Sequence, residues 1–488
     1  MIANAKPPKA AGSARRSVAA FLLGLMLPAA SPSPTLSQTV VVPLTGQRVR
    51  DITTMSLFHT LFRDFFLEED STTYVQTGDI PAMWLRDSSA QTIPYIRFQP
   101  IYPVLRQRFS GVIERNARNI LHDAYANAFR ADYSVWERKW EIDSLAWPVI
   151  LASVYWRQTR DRSVFTPDLH AALRRVAFTY GCEQHHRSCN AYAYPRRVPT
   201  SEPYAEDTGM IWSAFRPSDD PVTYRFNIPQ NALAVVALRD MEQLADEGYR
   251  DRDLASKAEA ISAQVELGIE SAGRFFDARR RVWMYAYETD GLGHYDLMDD
   301  ANIPNLTTLP YIDWCSAFDP TYLNTRAFTL SKDDPYYFSG RYAMGLGSPH
   351  TPKGWVWPLG IIGRALTATS STEVAEAITT LAETDSESGM IHESFYPDGY
   401  WRFTRPEFGW ANALYAELLF RSIAGLGATQ LAVRGPVRPF ETPTRTPNLV
   451  PYFTQVQNDG ELNATLGRML NATLGQMLPG IAASLRRL

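Results

Sequence analysis

From about residue 51 to residue 426 the chain repeats one pattern. A stretch with apolar side chains at helical spacing gives way to a polar, aromatic loop, and another such stretch follows. The helical stretches are 51–67, 102–127, 142–156, 169–180, 231–245, 254–274, 356–368, 372–383 and 412–426, with a further start after the Ser88-Ser89-Ala90-Gln91 run. The 142–156 stretch is apolar and unbroken except for Pro148, which predicts a buried helix. No Gly-x-Gly-x-x-Gly, phosphate loop or strand–helix–strand alternation occurs, which excludes the parallel nucleotide-binding folds. About ten helices joined by long loops (roughly 190–230, 284–350 and 390–410) predict an all-α chain. An (α/α)6 barrel, whose inner helices bury apolar faces and whose loops build a site at one end, fits this pattern. An irregular helical bundle would give the same periodicity.

The two ends read differently. Lys6, Lys9, Arg15 and Arg16 precede an apolar run over 18–27, and Pro28-Ala29-Ala30-Ser31 supplies small residues for cleavage. This predicts a signal peptide, too short to span a membrane, and hence export without stable membrane association after cleavage. Arg15-Arg16 directly before the apolar run also fits a twin-arginine signal. Residues 1–40 are therefore read as signal and linker. Residues 431–488 are read as a Pro-rich, weakly ordered tail with a tandem near-repeat, Asn463 to Leu470 followed by Asn471 to Leu478. A net charge of -4 without a long basic run excludes nucleic acid as the expected partner. Of three cysteines, Cys182 and Cys189 bracket His185 and His186. A disulfide-closed surface loop and a zinc site both fit those residues, although the spacing matches no finger or ribbon; Cys315 stands apart.

Four runs carry candidate chemistry. Thr77 to Gln91 packs Asp79, Trp84, Arg86 and Asp87 into an otherwise small, apolar stretch. Arg and Asp forks bind hydroxyl pairs and an aromatic face covers C–H edges, a combination that suits a sugar. The same run equally suits a helix capped by Asp87 or Ser88, with a local ion pair and a core tryptophan. Phe215-Arg216-Pro217-Ser218-Asp219-Asp220 places two carboxylates side by side, and like charge with partial burial raises a carboxyl pKa as a general acid requires. His392-Glu393-Ser394 sets an acid in an apolar context, suited to a base or to a helix cap. Asp299-Asp300-Ala301-Asn302 offers acids and an amide to hydroxyls, with a non-EF-hand metal site as the competing reading. Gly-x-Ser-x-Gly and His-Glu-x-x-His are both absent.

The run from Gly78 to Gln91 closely resembles glycoside hydrolase family 125, the metal-independent exo-α-1,6-mannosidases. The resemblance continues in order through Glu141-Ile142-Asp143-Ser144, the Arg-Pro-Ser-Asp-Asp run, Ile228-Pro229-Gln230-Asn231 and Asp299 to Pro304. It runs on through Gly347 to Pro352, His392 to Phe395 and Phe403 to Pro406, covering roughly residues 45–427. It implies an (α/α)6 catalytic domain over 41–430 and cofactor-free, metal-free hydrolysis with inversion. It assigns the acid to Asp220, with Asp219 in reserve, and the base to Glu393. It places Trp84, Arg86, Asp87, Asp143, Asn302, His350 and Arg405 around the terminal mannose of an N-glycan or mannan oligosaccharide. Glu407, the Gly409-Trp410 pair and the 396–402 loop depart from the family pattern beside the base, which bears on the leaving-group subsite. A catalytically silent glycan-binding protein on the same barrel, and a glycosidase of another linkage specificity, are the alternative readings. The oligomeric state is not legible in the sequence.

Overall fold

The computed structural model describes residues 60–423, except 101, 190–191, 193–202 and 387, together with 2–4, 52 and 56. Most of the 1–40 segment and the whole 431–488 tail with its repeat lie outside the described residues; Ile2–Asn4 forms a short strand beside Arg402–Thr404.

Eleven α-helices are described: α1 (Leu85–Thr92), α2 (Leu105–His122), α3 (Ile142–Thr159), α4 (Pro167–Glu183), the short α5 (His186–Cys189), α6 (Ile228–Leu244), α7 (Arg252–Ala272), α8 (Pro320–Thr329), α9 (Pro358–Leu366), α10 (Ser371–Glu383) and α11 (Gly409–Ile423). Apolar patterning sorts most of them into two rings. α3 is buried over its first fifteen residues, Ile142 to Trp156, and α6 is buried along nearly its whole length. Helices apolar on all sides belong inside a large core, and these two pack on each other, with α1 against α3. α11 packs on α1 and on α9. The buried 3-10 turn Leu306–Thr308 packs on α9 and on α8. α2, α7 and α10 keep polar outer faces, as amphipathic helices of the outer ring must. α2 packs on α4, α4 on α7, and α7 on α6. This is the expected all-α (α/α)6 arrangement.

Several local expectations are corrected. Much of the predicted 51–67 helix lies outside the described residues, and its end is not helical: Phe65–Leu67 is a strand paired with Thr73–Val75, with Phe65 buried and Phe66 and Leu67 exposed. Helical spacing of the phenylalanines concealed this strand. The 284–350 loop contains α8, whose Asp319 side chain caps Tyr322 N with Pro320 in the first turn. α1 begins at Leu85, earlier than the Ser-Ser-Ala-Gln run, so neither Asp87 nor Ser88 caps it; both lie inside the helix. Cys182 and Cys189 are joined in a disulfide, and Cys315 is free. His186 stacks on Trp212 with centroids 3.6 Å apart and meets Glu183 at 2.6 Å, so its ring is committed within the protein. Among the described residues no group of His, Cys, Asp and Glu is arranged to hold a metal ion.

Candidate active site

The inner helices start at one end of the barrel, and the loops leading into them carry the polar groups. Short strands tie these loops together: Trp84 pairs with Ala128, and Val356 bridges to Phe395. Gly78 sits at φ +75°, and a β-carbon there would lie 2.2 Å from the Glu407 carbonyl oxygen, which accepts from Asp79 N at 3.0 Å. Only glycine allows this approach, and it draws the entrance of α1 against that of α11. Arg405, just before α11, donates through Nε to Asp79 Oδ1 at 2.7 Å and through Nη2 to the Thr77 carbonyl; its Nη1 is 3.7 Å from Glu393 Oε1. Thr77 Oγ1 donates to Asp87 Oδ1 at 2.7 Å. A continuous polar chain thus links Glu393 to Arg405, Thr77 and Asp87.

Arg86 occupies the floor. Its Nη1 donates to Glu141 Oε2 at 2.8 Å and lies 3.5 Å from Asp143 Oδ2; its Nη2 donates to Asp219 Oδ1 at 3.2 Å; its Nε is 3.3 Å from Asp87 Oδ2. The guanidinium lies over the Trp410 ring at 5.4 Å. Burial disfavours its charge, but Glu141, Asp219, Asp87 and Asp143 more than offset this, and its pKa stays well above the ordinary value. Burial raises the pKa of Asp87, and raises Asp143 to about 7 against the pull of Arg86. Glu141 and Asp143 have no exposed side-chain surface, so they stand behind Arg86. Trp84 is buried as well, with its indole N–H unpartnered in the protein.

The adjacent carboxylates separate because Asp219 adopts φ +64° in a tight turn, where Arg216 N bonds Asp220 O and Asp219 N bonds Arg216 O. Arg216 anchors this turn through a two-pronged contact with Glu288, 2.6 and 3.1 Å long. Asp219 turns inward to Arg86 and to Asn127 Nδ2 at 3.2 Å. Burial works against its charge, but Arg86, Glu141, Lys139 and His350 hold its pKa far below the usual carboxylate value. Asp220 turns the other way, accepts from Ser218 Oγ at 3.0 Å and lies 3.5 Å from His350 Nδ1. Burial lowers the His350 pKa, and Asp220, Asp219 and Glu393 together raise it to about 9. Asp220 is 27% exposed against 15% for Asp219 and 9% for Glu393.

The remaining predicted residues support this arrangement from behind. Asn302 is buried, and its Nδ2 donates to Asp300 Oδ1 at 2.9 Å. Ser348 bridges Asp300 Oδ2 at 3.0 Å and the backbone N of His350 at 3.2 Å. His392 does not touch Glu393: it stacks on Phe403 at 3.8 Å and faces the carbonyl of Asp385. Sequence reasoning missed Asn127, Lys139 and Trp410 as members of the site and gave Glu141 no role of its own. Asn127 and Lys139 carry no local signal, since the short strands after α2 bring them in. The Gly-Trp pair at 409–410 is visible in the sequence, but only the ring closure of α11 onto α1 sets Trp410 beneath Arg86.

The chain is similar to known proteins along most of its length. Residues 35–420 match the family described as metal-independent α-mannosidases, glycoside hydrolase family 125. The meiotically up-regulated gene 157 protein of Schizosaccharomyces pombe is 33% identical over 389 residues, covering 71% of this chain and 76% of that one. A metal-independent α-mannosidase of Streptococcus pneumoniae, solved as a non-productive complex with α-1,6-mannobiose, superposes with a TM-score of 0.74 at 34% identity. That match covers 77% of this chain and 94% of the streptococcal one. A glycosidase variant at 12% identity and a TM-score of 0.52 shares the barrel alone. The fold, the ordered motifs and these matches together establish that the chain belongs to glycoside hydrolase family 125, the metal-independent α-mannosidases.

Proposed function

We propose that this protein removes terminal α-1,6-linked mannose from the non-reducing end of oligosaccharides, with inversion at the anomeric carbon. Asp220 protonates the glycosidic oxygen and Glu393 activates a water on the opposite face of the ring. The observation that carries the assignment is the opposite orientation of the two neighbouring aspartates. Asp219 is committed to Arg86 and Asn127 and held ionised, which disqualifies it as a proton donor. Asp220 is the more exposed of the two and lies 3.5 Å from His350 Nδ1, free of the Arg86 cluster. Arg86 and Asp87 present the edge that grips the sugar hydroxyls, while Asp143 and Asn302 act through Arg86 and the Asp300 network. The streptococcal relative's complex with α-1,6-mannobiose supports the linkage. The N-terminal sequence supports action outside the cytoplasm.

The test is proton NMR of α-1,6-mannobiose with the purified protein in EDTA, beside Glu393→Ala and Asp220→Asn. Early β-mannose is expected, lost in Glu393→Ala. Asp220→Asn is expected to lose roughly 10²–10⁴-fold on mannobiose. It should recover much of that on a dinitrophenyl mannoside, whose leaving group needs no proton. Early α-mannose would overturn inversion, and an active Glu393→Ala variant would overturn the base.

A further inference from the structure

Four carboxyl groups surround the single guanidinium of Arg86: Asp87 at 3.3 Å, Glu141 at 2.8 Å, Asp143 at 3.5 Å and Asp219 at 3.2 Å. None is more than 15% exposed. Lys139, the next cation, pairs with Glu137 at 2.8 Å and also favours the charged form of Asp219. Carboxylates packed this closely in a poorly solvated site cannot all ionise. Hydrogen-bond valence shows where a proton belongs. Asn127 Nδ2 has two hydrogens and three acceptors, Glu137 Oε2 at 3.1 Å, Asp219 Oδ1 at 3.2 Å and Glu141 Oε1 at 3.4 Å. The longest of these contacts, to Glu141 Oε1, is the one left without a hydrogen. Glu141 Oε2 is already filled by Arg86 Nη1 and by Ser144 Oγ at 2.9 Å.

We propose that Glu141 is a neutral carboxylic acid in the working enzyme, a positioning residue whose Oε1–H donates to Asp219 and so fixes Asp219 and Arg86 beneath the sugar. Glu141 and Asp219 are hydrogen-bonded neighbours whose proton affinities are driven in opposite directions, Glu141 upward first by burial and then by Asp219, and Asp219 downward by Arg86 and Glu141 against its own burial. The groups that act on Glu141 are Arg86 from α1, Asp143 and Ser144 from α3, Asn127 and Lys139 from the segment before it, and Asp219 from the turn, with Asp87 and Glu137 one step further out, paired to Arg86 and Lys139. None but Arg86 and Lys139 is a cation that would hold Glu141 ionised, and both are shared with other carboxylates.

A neutral Glu141 makes glutamine its isostere: the amide N–H replaces the Oε1–H toward Asp219, and the amide oxygen still accepts from Arg86. The experiment compares Glu141→Gln and Glu141→Ala in kcat/KM and in melting temperature from pH 5 to pH 9. The activity readout rests on the proposed mannosidase reaction; the melting readout does not. We expect Glu141→Gln to keep kcat/KM within about threefold, while Glu141→Ala loses about 100-fold or more, as displaced site groups do. A folded-state pKa raised above the unfolded value stabilises fully below about pH 4.5 and less as pH rises, so the wild-type melting temperature should fall relative to Glu141→Gln as pH increases. An ionised Glu141 predicts otherwise: Glu141→Gln as damaging as Glu141→Ala, and a wild-type advantage that stays level from pH 5 to pH 9. Either result would overturn the proposal. If mannobiose is not turned over by any form, the function fails, and the melting series still decides the protonation state.

Discussion

Arg86→Lys isolates what the guanidinium contributes beyond its charge. Arginine reaches Glu141 through Nη1, Asp219 through Nη2 and Asp87 through Nε, on three sides of a planar group. A lysine amine is one point at the end of a flexible stem and can replace one of these contacts, not all three. The contacts to Glu141 and Asp219 are hydrogen bonds and the one to Asp87 is a close ion pair; each such interaction lost at a buried charged group costs roughly 1.5–3 kcal/mol, so losing two gives about 3–5 kcal/mol, with protonation of the freed carboxyls returning part. Unfolding entropy near 2.1 cal/mol/K per residue over a described fold of roughly 360 residues makes the melting temperature move about 1.3 °C per kcal/mol, which predicts a fall of about 4–6 °C. The loss in kcat/KM should be about 100-fold or more, because the sugar edge and Asp219 both shift. Differential scanning calorimetry with steady-state hydrolysis of α-1,6-mannobiose measures both. A variant melting within 1 °C of wild type with kcat/KM within twofold would refute the argument that the Arg86 fork organises the carboxyl cluster.

Two further outcomes follow from the same geometry. Gly78→Ala places a β-carbon 2.2 Å from the Glu407 carbonyl at a positive φ, combining backbone strain of about 1–3 kcal/mol with loss of the Asp79 N to Glu407 O bond. Denaturant titration should show a lower midpoint at unchanged slope, and an unchanged midpoint would mean the loop yields without cost. His350, with its pKa raised to about 9 by Asp220 against the effect of burial, contributes stability that is fully present below about pH 6.5 and is lost as pH rises through 9. The melting gap between wild type and His350→Ala should therefore narrow from pH 6 to pH 10, modestly, because more than a third of the side chain meets solvent. A gap that widens with pH would reverse the assigned charge state.

The sequence alone determined the helical character of the chain, because apolar periodicity is local and α3 and α6 carry it on every face. It also placed Arg86 beside Asp87 and Asp219 beside Asp220, and the ordered motifs carried the family. It did not yield α8, although Asp319-Pro320 is a sound helix start, since the flanking stretch read as one long polar loop. Only the tertiary structure decided which groups share a proton or a cation. Arg86 and Glu141 are 55 residues apart, and Arg86 and Asp219 are 133 apart. Charge balance and donor count depend on neighbours in space, and ring closure supplies those neighbours. The same holds for the two adjacent aspartates, identical in sequence context. One left-handed residue turns Asp219 toward Arg86 and leaves Asp220 to His350, a division of labour set by backbone geometry rather than residue type.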